Sequence, residues 1–157
     1  FPTGRWIAQG ADFAGYAVPA GAGPAPTQKQ AVAFGDSILL VGVDGLSDLT
    51  DSSVNVRFHW QALKQPPDDY TVFLHLVGPD GELVDQMDRP PYYATGRWRP
   101  GELVLDTYTV ALPDRPVSGT YQLLTGFYDD TVTRLPVVRD EVEQPNGLLV
   151  LSSFEVP

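Results

Sequence analysis

Few side chains in this chain could carry chemistry. His59 and His75 are the only imidazoles, and there is no cysteine. The second fact removes disulfides, thiolate nucleophiles and cysteine-based zinc sites. A nucleophilic triad needs a nucleophile, a base and an orienting carboxylate. No Gly-x-Ser-x-Gly elbow is present to supply the first. His59 falls on the polar side of an alternating stretch and is expected at the surface. His75 shares a face with Phe73 and Val77 and is expected to be packed and hydrogen-bonded. Glycoside hydrolysis needs two carboxyl groups roughly 5 to 10 Å apart across a cleft. Asp85, Asp88, Glu102 and Asp106 flank one long connection and are the candidates. Aspartates at strand ends and turns, however, commonly bond nearby backbone amides instead. No catalytic residue is assigned on these grounds, and the isolated chain is expected not to be an enzyme.

A binding surface has a better claim. Between Asp88 and Glu102 (DRPPYYATGRWRPGE) stand Arg89, Tyr92, Tyr93, Arg97, Trp98 and Arg99. Connections of this length carry function or cover a gap in a core. Flat rings can stack on the apolar face of a sugar, while Arg and Asp hold its hydroxyl groups. Trp98, Tyr92, Tyr93, Arg97 and Asp88 are therefore the candidate ligand contacts, with carbohydrate the expected ligand. The competing reading is that Trp98 plugs one end of the fold. A structural Ca²⁺ would need several oxygen ligands converging. Asp36, Asp106 and Asp129, with Asp44 and Asp130, are the candidates, although no Asp-x-Asp-x-Asp loop joins them. No other cofactor is expected.

The elements that position these residues read as strands. Val54 to Ala62 alternates, with Val54, Val56, Phe58, Trp60 and Ala62 on one face and Asn55, Arg57, His59 and Gln61 on the other. Phe34 to Val43, Tyr70 to Val77, Leu83 to Met87, Leu103 to Leu112, Gly119 to Tyr128, Arg134 to Val138 and Leu148 to Val156 complete about eight strands. Tyr70 to Val77 and Gly119 to Tyr128 are apolar on both faces and are expected to be central. Gly78-Pro79-Asp80-Gly81 makes a tight turn that joins Tyr70 to Val77 and Leu83 to Met87 into a hairpin. Pro136 marks its strand as an edge or a bulge. Gly126 suggests close approach by a ring, with Trp60 or Trp98 expected. No sustained 3.6-residue stripe appears. The expected fold is an antiparallel two-sheet β-sandwich, jelly-roll or immunoglobulin-like.

Composition agrees. At 157 residues the chain is one domain long, and such a domain buries roughly 70% of its unfolded surface without staples. The 15 glycines and 15 prolines suit many turns. The lead-in, residues 1–32, includes the small-residue run AVPAGAGPAP and is expected to be a linker, with Trp6, Ile7, Phe13 and Tyr16 able to dock on the 33–157 domain. The formal net charge of −10 disfavours nucleic acid and anionic lipid as partners. No stretch is long and apolar enough to enter a membrane. The chain opens at Phe1 without a signal-peptide pattern and is expected to be a piece of something longer.

The runs AFGDSILLVGVD, VRFHWQAL, DYTVFLHLVGPDGELVDQMDRPP, TGRWRPGELVLDTYTVALP and SGTYQLLTGFYDDTVTRLPV occur in that order. From Ala33 to the end the chain resembles the C-terminal module of bacterial membrane glycosyltransferases of the dolichyl-phosphate-mannose-protein mannosyltransferase-like kind. The resemblance implies a β-sandwich on the extracytoplasmic face, periplasmic or extracellular. It also implies that the membrane-embedded part of a parent chain is a partner and that the transferase chemistry resides there. The expected role is a non-catalytic accessory module recognising glycan or acceptor. A structural interaction domain is the alternative, relying on the Pro136 strand or on the segment with Trp6 and Phe13. A hydrolase working through Asp88 and Asp106 is the remaining alternative.

Overall fold

A computed structural model describes residues 5–6, 15–18, 23–46 and 52–157, with side-chain surroundings from residue 23 onward. Ile7 and Phe13, expected to dock on the domain, lie outside the described residues. In chain order the strands are β1 Arg5–Trp6, β2 Gly15–Val18, β3 Gln28–Phe34, β4 Ile38–Asp44, β5 Ser53–Ala62, β6 Thr71–Val77, β7 Leu83–Arg89, β8 Leu103–Ala111, β9 Gly119–Tyr128, β10 Val137–Arg139, β11 Val142–Gln144 and β12 Leu149–Val156. Among the described residues the only helical pieces are 3-10 turns at Thr95–Arg97 and Pro145–Gly147. No helix there is long and apolar enough to cross a membrane.

The fold is an all-β sandwich of two antiparallel sheets. The larger has the order β1-β2-β8-β5-β4-β3-β10-β11, and the smaller β12-β9-β6-β7. Within them, β4-β5-β8 facing β12-β9-β6-β7 reproduces the strand order of an immunoglobulin-like sandwich. The doubly apolar strands β6 and β9 are indeed the central pair of the smaller sheet. The chain passes from β8 in one sheet to β9 in the other through residues 112–118. There the Tyr121 hydroxyl, near the start of β9, donates to the Val117 carbonyl at 2.9 Å. This tyrosine corner pins the crossover to the strand it feeds.

The core follows from the alternation. Val54, Val56, Phe58, Trp60 and Ala62 of β5 all turn inward and are buried. Trp60 stacks on Phe58, with ring centroids 4.9 Å apart, and meets Phe127 from the opposite sheet at 4.7 Å and 64°. Phe34 stands edge-on to both Trp60 and Phe127. Edge-to-face contacts of this kind stabilise beyond the area they bury. The Trp60 indole N–H has no hydrogen-bond acceptor among the described residues. The Trp60 ring packs against those of Phe34, Phe58 and Phe127.

Several boundaries differ from the sequence reading. Phe34 to Val43 is two strands. Gly35, at φ 61°, opens a reversal over residues 35–37, and Phe34 ends β3 before it. Described parts of the 1–32 lead-in belong to the larger sheet, because β3 begins at Gln28 and β2 pairs with β8. Gly42 permits this: a Cβ there would lie 2.4 Å from Pro26, so only glycine lets the lead-in approach so closely. β10 starts at Val137 and is flanked by β3 and β11, so it is no edge strand. Pro136 precedes the ladder, where its missing N–H goes unneeded and its carbonyl accepts the Gly35 amide at 2.8 Å. The ring over Gly126 belongs to Phe73, not to Trp60 or Trp98. A Cβ at position 126 would stand 2.5 Å from the Phe73 ring and 2.7 Å from the Gly147 carbonyl oxygen.

That crowding gives a direct test. Gly126→Ala is expected to destabilise the domain by about 1–3 kcal/mol, the usual cost of overpacking. Urea unfolding of the variant against the parent measures it, and an unchanged midpoint would contradict the packing described.

Candidate functional site

The connection between β7 and β8 closes one end of the sandwich, and its own backbone and side chains lock it in place. The Trp98 indole donates to the Tyr93 carbonyl at 2.7 Å, and the Tyr93 hydroxyl donates to the Arg97 carbonyl at 2.5 Å. The Thr95 hydroxyl donates to the Asp68 carbonyl at 2.6 Å and accepts the Tyr70 amide at 2.8 Å. Gly96 donates its amide to Asp69 at 3.0 Å, and its carbonyl accepts from Gln65 at 2.7 Å. The 90–102 connection is thus stitched to the 63–70 connection beside it.

This stitching decides the fate of the expected ligand contacts. Trp98 is 0% exposed and packs in the core, and Tyr93 is buried as well. Neither offers a ring face to a ligand, which corrects the expectation for both: the hydrophobic gap at the end of the sandwich takes the rings. Tyr92, by contrast, is 55% exposed. Arg97 is exposed, and its guanidinium has no partner among the described residues. Asp88 points away from this end, out of the smaller sheet. There its carboxylate meets His75 Nε2 at 3.0 Å and accepts from the Tyr128 hydroxyl at 3.2 Å. Of the five candidates, Tyr92 and Arg97 are left at the surface of the connection.

Beneath Tyr92 lies a group the sequence did not assign a role. The Arg89 guanidinium sits between two rings, 4.3 Å from the centroid of Tyr92 and 4.0 Å from that of Tyr108. It donates to both carboxylate oxygens of Asp106, at 2.9 and 3.0 Å, and to the Thr107 carbonyl at 2.6 Å. Asp106 is 1% exposed. Arg89 ends the edge strand of the smaller sheet, whereas Asp106 faces inward from β8 of the larger. The pair therefore bridges the sheets by the fork geometry that makes Arg–carboxylate contacts strong and directional. Burial opposes the Arg89 charge, but the bonds to Asp106 outweigh that and raise its pKa. Burial and the adjacent Asp106 charge push the Tyr108 hydroxyl well above its ordinary value, so it remains protonated.

The remaining titratable groups are engaged elsewhere. His59 is only 2% exposed, not the surface residue expected. Its Nε2 meets Asp44 at 2.7 Å, and Asp44 in turn accepts the Thr27 amide at 2.7 Å. Partial burial pushes the Asp44 carboxyl up, but the hydrogen bonds from His59 and Thr27 prevail and hold it below the ordinary carboxylate value. The calcium candidates do not converge. Asp36 pairs with Lys64 and Ser37, Asp106 with Arg89, and Asp129 accepts from Thr131 and Thr133 within its own turn. No three potential metal ligands cluster among the described residues. Asp88 meets His75 and Tyr128 on the outer face of the smaller sheet, whereas Asp106 is buried between the sheets on β8, so they do not oppose one another across a cleft. Asp85 accepts the Ala111 amide at 2.7 Å, and Glu102 accepts that of Arg99 at 3.4 Å.

In comparisons with known proteins, the chain matches no family model and no curated protein.

Two outcomes follow from this geometry. Arg89→Met strands a buried carboxylate and is expected to lower stability by about 3–5 kcal/mol, whereas Arg89→Met with Asp106→Leu recovers most of the loss. Denaturant unfolding of the single and double variants decides it. The Asp44 contact has a defined pH signature, because a carboxyl whose pKa is lowered by folding stabilises above its unfolded pKa and loses that contribution as pH falls through the folded value. The stability advantage of the parent over Asp44→Asn is therefore expected to shrink as pH falls below about 4. Urea midpoints measured across that range test it.

Proposed function

We propose that this sandwich is a non-catalytic recognition module acting on the extracytoplasmic face beside a membrane glycosyltransferase, with Tyr92 as its contact to glycan. The observation that carries the reading is the Tyr92–Arg89 contact: a half-exposed ring set over a guanidinium that is itself clamped by Asp106. A ring fixed in this way loses little conformational freedom when it meets a ligand. Its outer face suits the apolar side of a sugar, and the unpartnered guanidinium of Arg97 on the same connection suits hydroxyl or carboxyl groups. The likeness of Ala33 to the chain's end to glycosyltransferase-borne modules supplies the biological setting of this reading.

A second reading, a protein-interaction domain, is favoured by one specific observation. Val117 and Leu83 are exposed near the opposite end of the sandwich, away from the segments the sequence suggested for this role.

A glycan array tests the first reading with the parent, Tyr92→Ala and Trp98→Ala. Binding is expected to fall about tenfold in Tyr92→Ala, the scale of a lost ring contact, without loss of stability. Trp98→Ala is expected to destabilise the domain, since its ring is core. Glycan binding that is absent, or indifferent to Tyr92, would sink the proposal.

A further inference from the structure

At the end opposite the 90–102 connection, the β6–β7 turn and the β8–β9 crossover enclose a notch of about 360 Å³. Its walls are Pro79, Val84, Pro113, Val117 and Tyr121, and Asp80 and Glu82 stand on its rim. That volume is at the small end for a ligand site and suits one or two side chains better than a whole metabolite. The walls are built, not incidental. Tyr121 is held by its bond to the Val117 carbonyl and by stacking on Phe154 at 5.7 Å and 16°. The opposite wall is fixed by the turn, where Gly81 donates to the Gly78 carbonyl at 3.0 Å and Gly78 donates to the Glu82 carbonyl at 2.9 Å. Gly119, at φ 135°, lets the two loops meet, because a Cβ there would lie 2.8 Å from Pro79. Such a preformed site asks little reorganisation of either partner.

Its surface chemistry is one-sided. Val117 is 70% exposed, an apolar side chain held in water at the lip. The Glu82 carboxylate has no partner among the described residues, whereas Asp80 accepts the Glu82 amide. No cationic side chain lines the notch. An apolar hollow with an acidic rim, on a chain of net charge −10, matches an apolar group flanked by positive charge and repels the acidic equivalent. Pro79 and Pro113 are exposed on the two loops that form the notch, while Tyr121, only 2% exposed, braces its floor from within.

We propose that this notch docks an extended segment of a partner protein, inserting a proline or aliphatic side chain among Pro79, Pro113 and Val117 with a lysine or arginine set against Glu82. The site is independent of the Tyr92 surface, at the other end of the domain.

The test titrates the isotopically labelled chain with three synthetic peptides, Ac-KPLPK-NH2, Ac-EPLPE-NH2 and Ac-KSGSK-NH2, and follows backbone amide shifts. Ac-KPLPK-NH2 is expected to move Gly78, Glu82, Val84, Val117 and Tyr121 saturably and to leave Arg97 and Trp98 in place. Glu82→Gln is expected to weaken it about threefold to fivefold, the scale of a partly exposed ion pair. Val117→Ser, at a site too exposed to threaten folding, is expected to weaken it by about tenfold through lost apolar contact. The proposal is overturned if Ac-KPLPK-NH2 leaves those five amides unmoved. It is equally overturned if Ac-KSGSK-NH2 binds as well, since charge alone then suffices, or if Ac-EPLPE-NH2 does, since the rim then selects nothing.

Discussion

The Arg89–Asp106 bridge is the interaction on which the end of this domain closed by the 90–102 connection depends. A β-sandwich is held together mainly by apolar contact between its sheets, and that force has no direction. Aromatic packing around Trp60 keeps the sheets together but fixes poorly where the end of an edge strand lies. The two-pronged bond between Arg89 and Asp106 supplies the missing direction. It anchors the point where β7 gives way to the long connection, and so sets where Pro90, Pro91 and Tyr92 emerge. A buried ion pair is a weak source of net stability, because desolvation offsets much of the attraction. Its contribution here is positional: it holds a cation under the Tyr92 ring and ties the edge of one sheet to the inner face of the other.

The class of the fold was legible because its cause is local. Alternation in β5 points Val54, Val56, Phe58, Trp60 and Ala62 inward, whatever else the chain does. The doubly apolar runs of β6 and β9 likewise mark central strands before any partner is known. What escaped the sequence reading depends on partners distant along the chain. One miss was local instead: Gly35-Asp36-Ser37 is a run of turn-forming residues at the reversal over 35–37, and the strand reading from Phe34 to Val43 passed over it. His59 sits on the polar face of its strand, as the pattern says. It is nonetheless buried, because the lead-in at Pro26 and Thr27 lies against this sheet through Gly42 and Asp44. Alternation reports which face a residue is on, not whether that face is covered.

The candidate site was half legible for a related reason. Arginines and aromatic rings gathered in a long connection signal a special segment, and the segment is special. Composition does not say which ring turns in. Trp98 turns inward because its indole finds the Tyr93 carbonyl and the end of the sandwich needs filling. Arg89 looked like one more loop cation, yet its guanidinium became the partly buried member of the set, since Asp106 lies inward on β8. A charged residue on the inner face of a strand is the signal that pointed to it: Asp106 shares its face with Val104, Tyr108 and Val110, and such a residue requires a counter-charge. The tyrosine corner had a signal too, a tyrosine two residues past Gly119 at the start of a strand that follows a crossover.

The same crossover governs how the chain reaches this structure. β5 pairs along its length with β8, Ser53 opposite Ala111 and Gln61 opposite Leu103, while β6 and β7 intervene in sequence and belong to the other sheet. The central ladder of the larger sheet therefore cannot zip up from a neighbouring turn. The chain must first close a long loop and surrender its entropy before any of those bonds form. Sandwiches dominated by such distant pairings fold in milliseconds to seconds, far more slowly than helical bundles. During that interval the hairpin of β6 and β7 can form alone, with its apolar inner face bare until β8 and β9 arrive. Residues 112–118 carry the chain from one sheet to the other, and the bond from Tyr121 to Val117 is placed to latch that passage once it has been made.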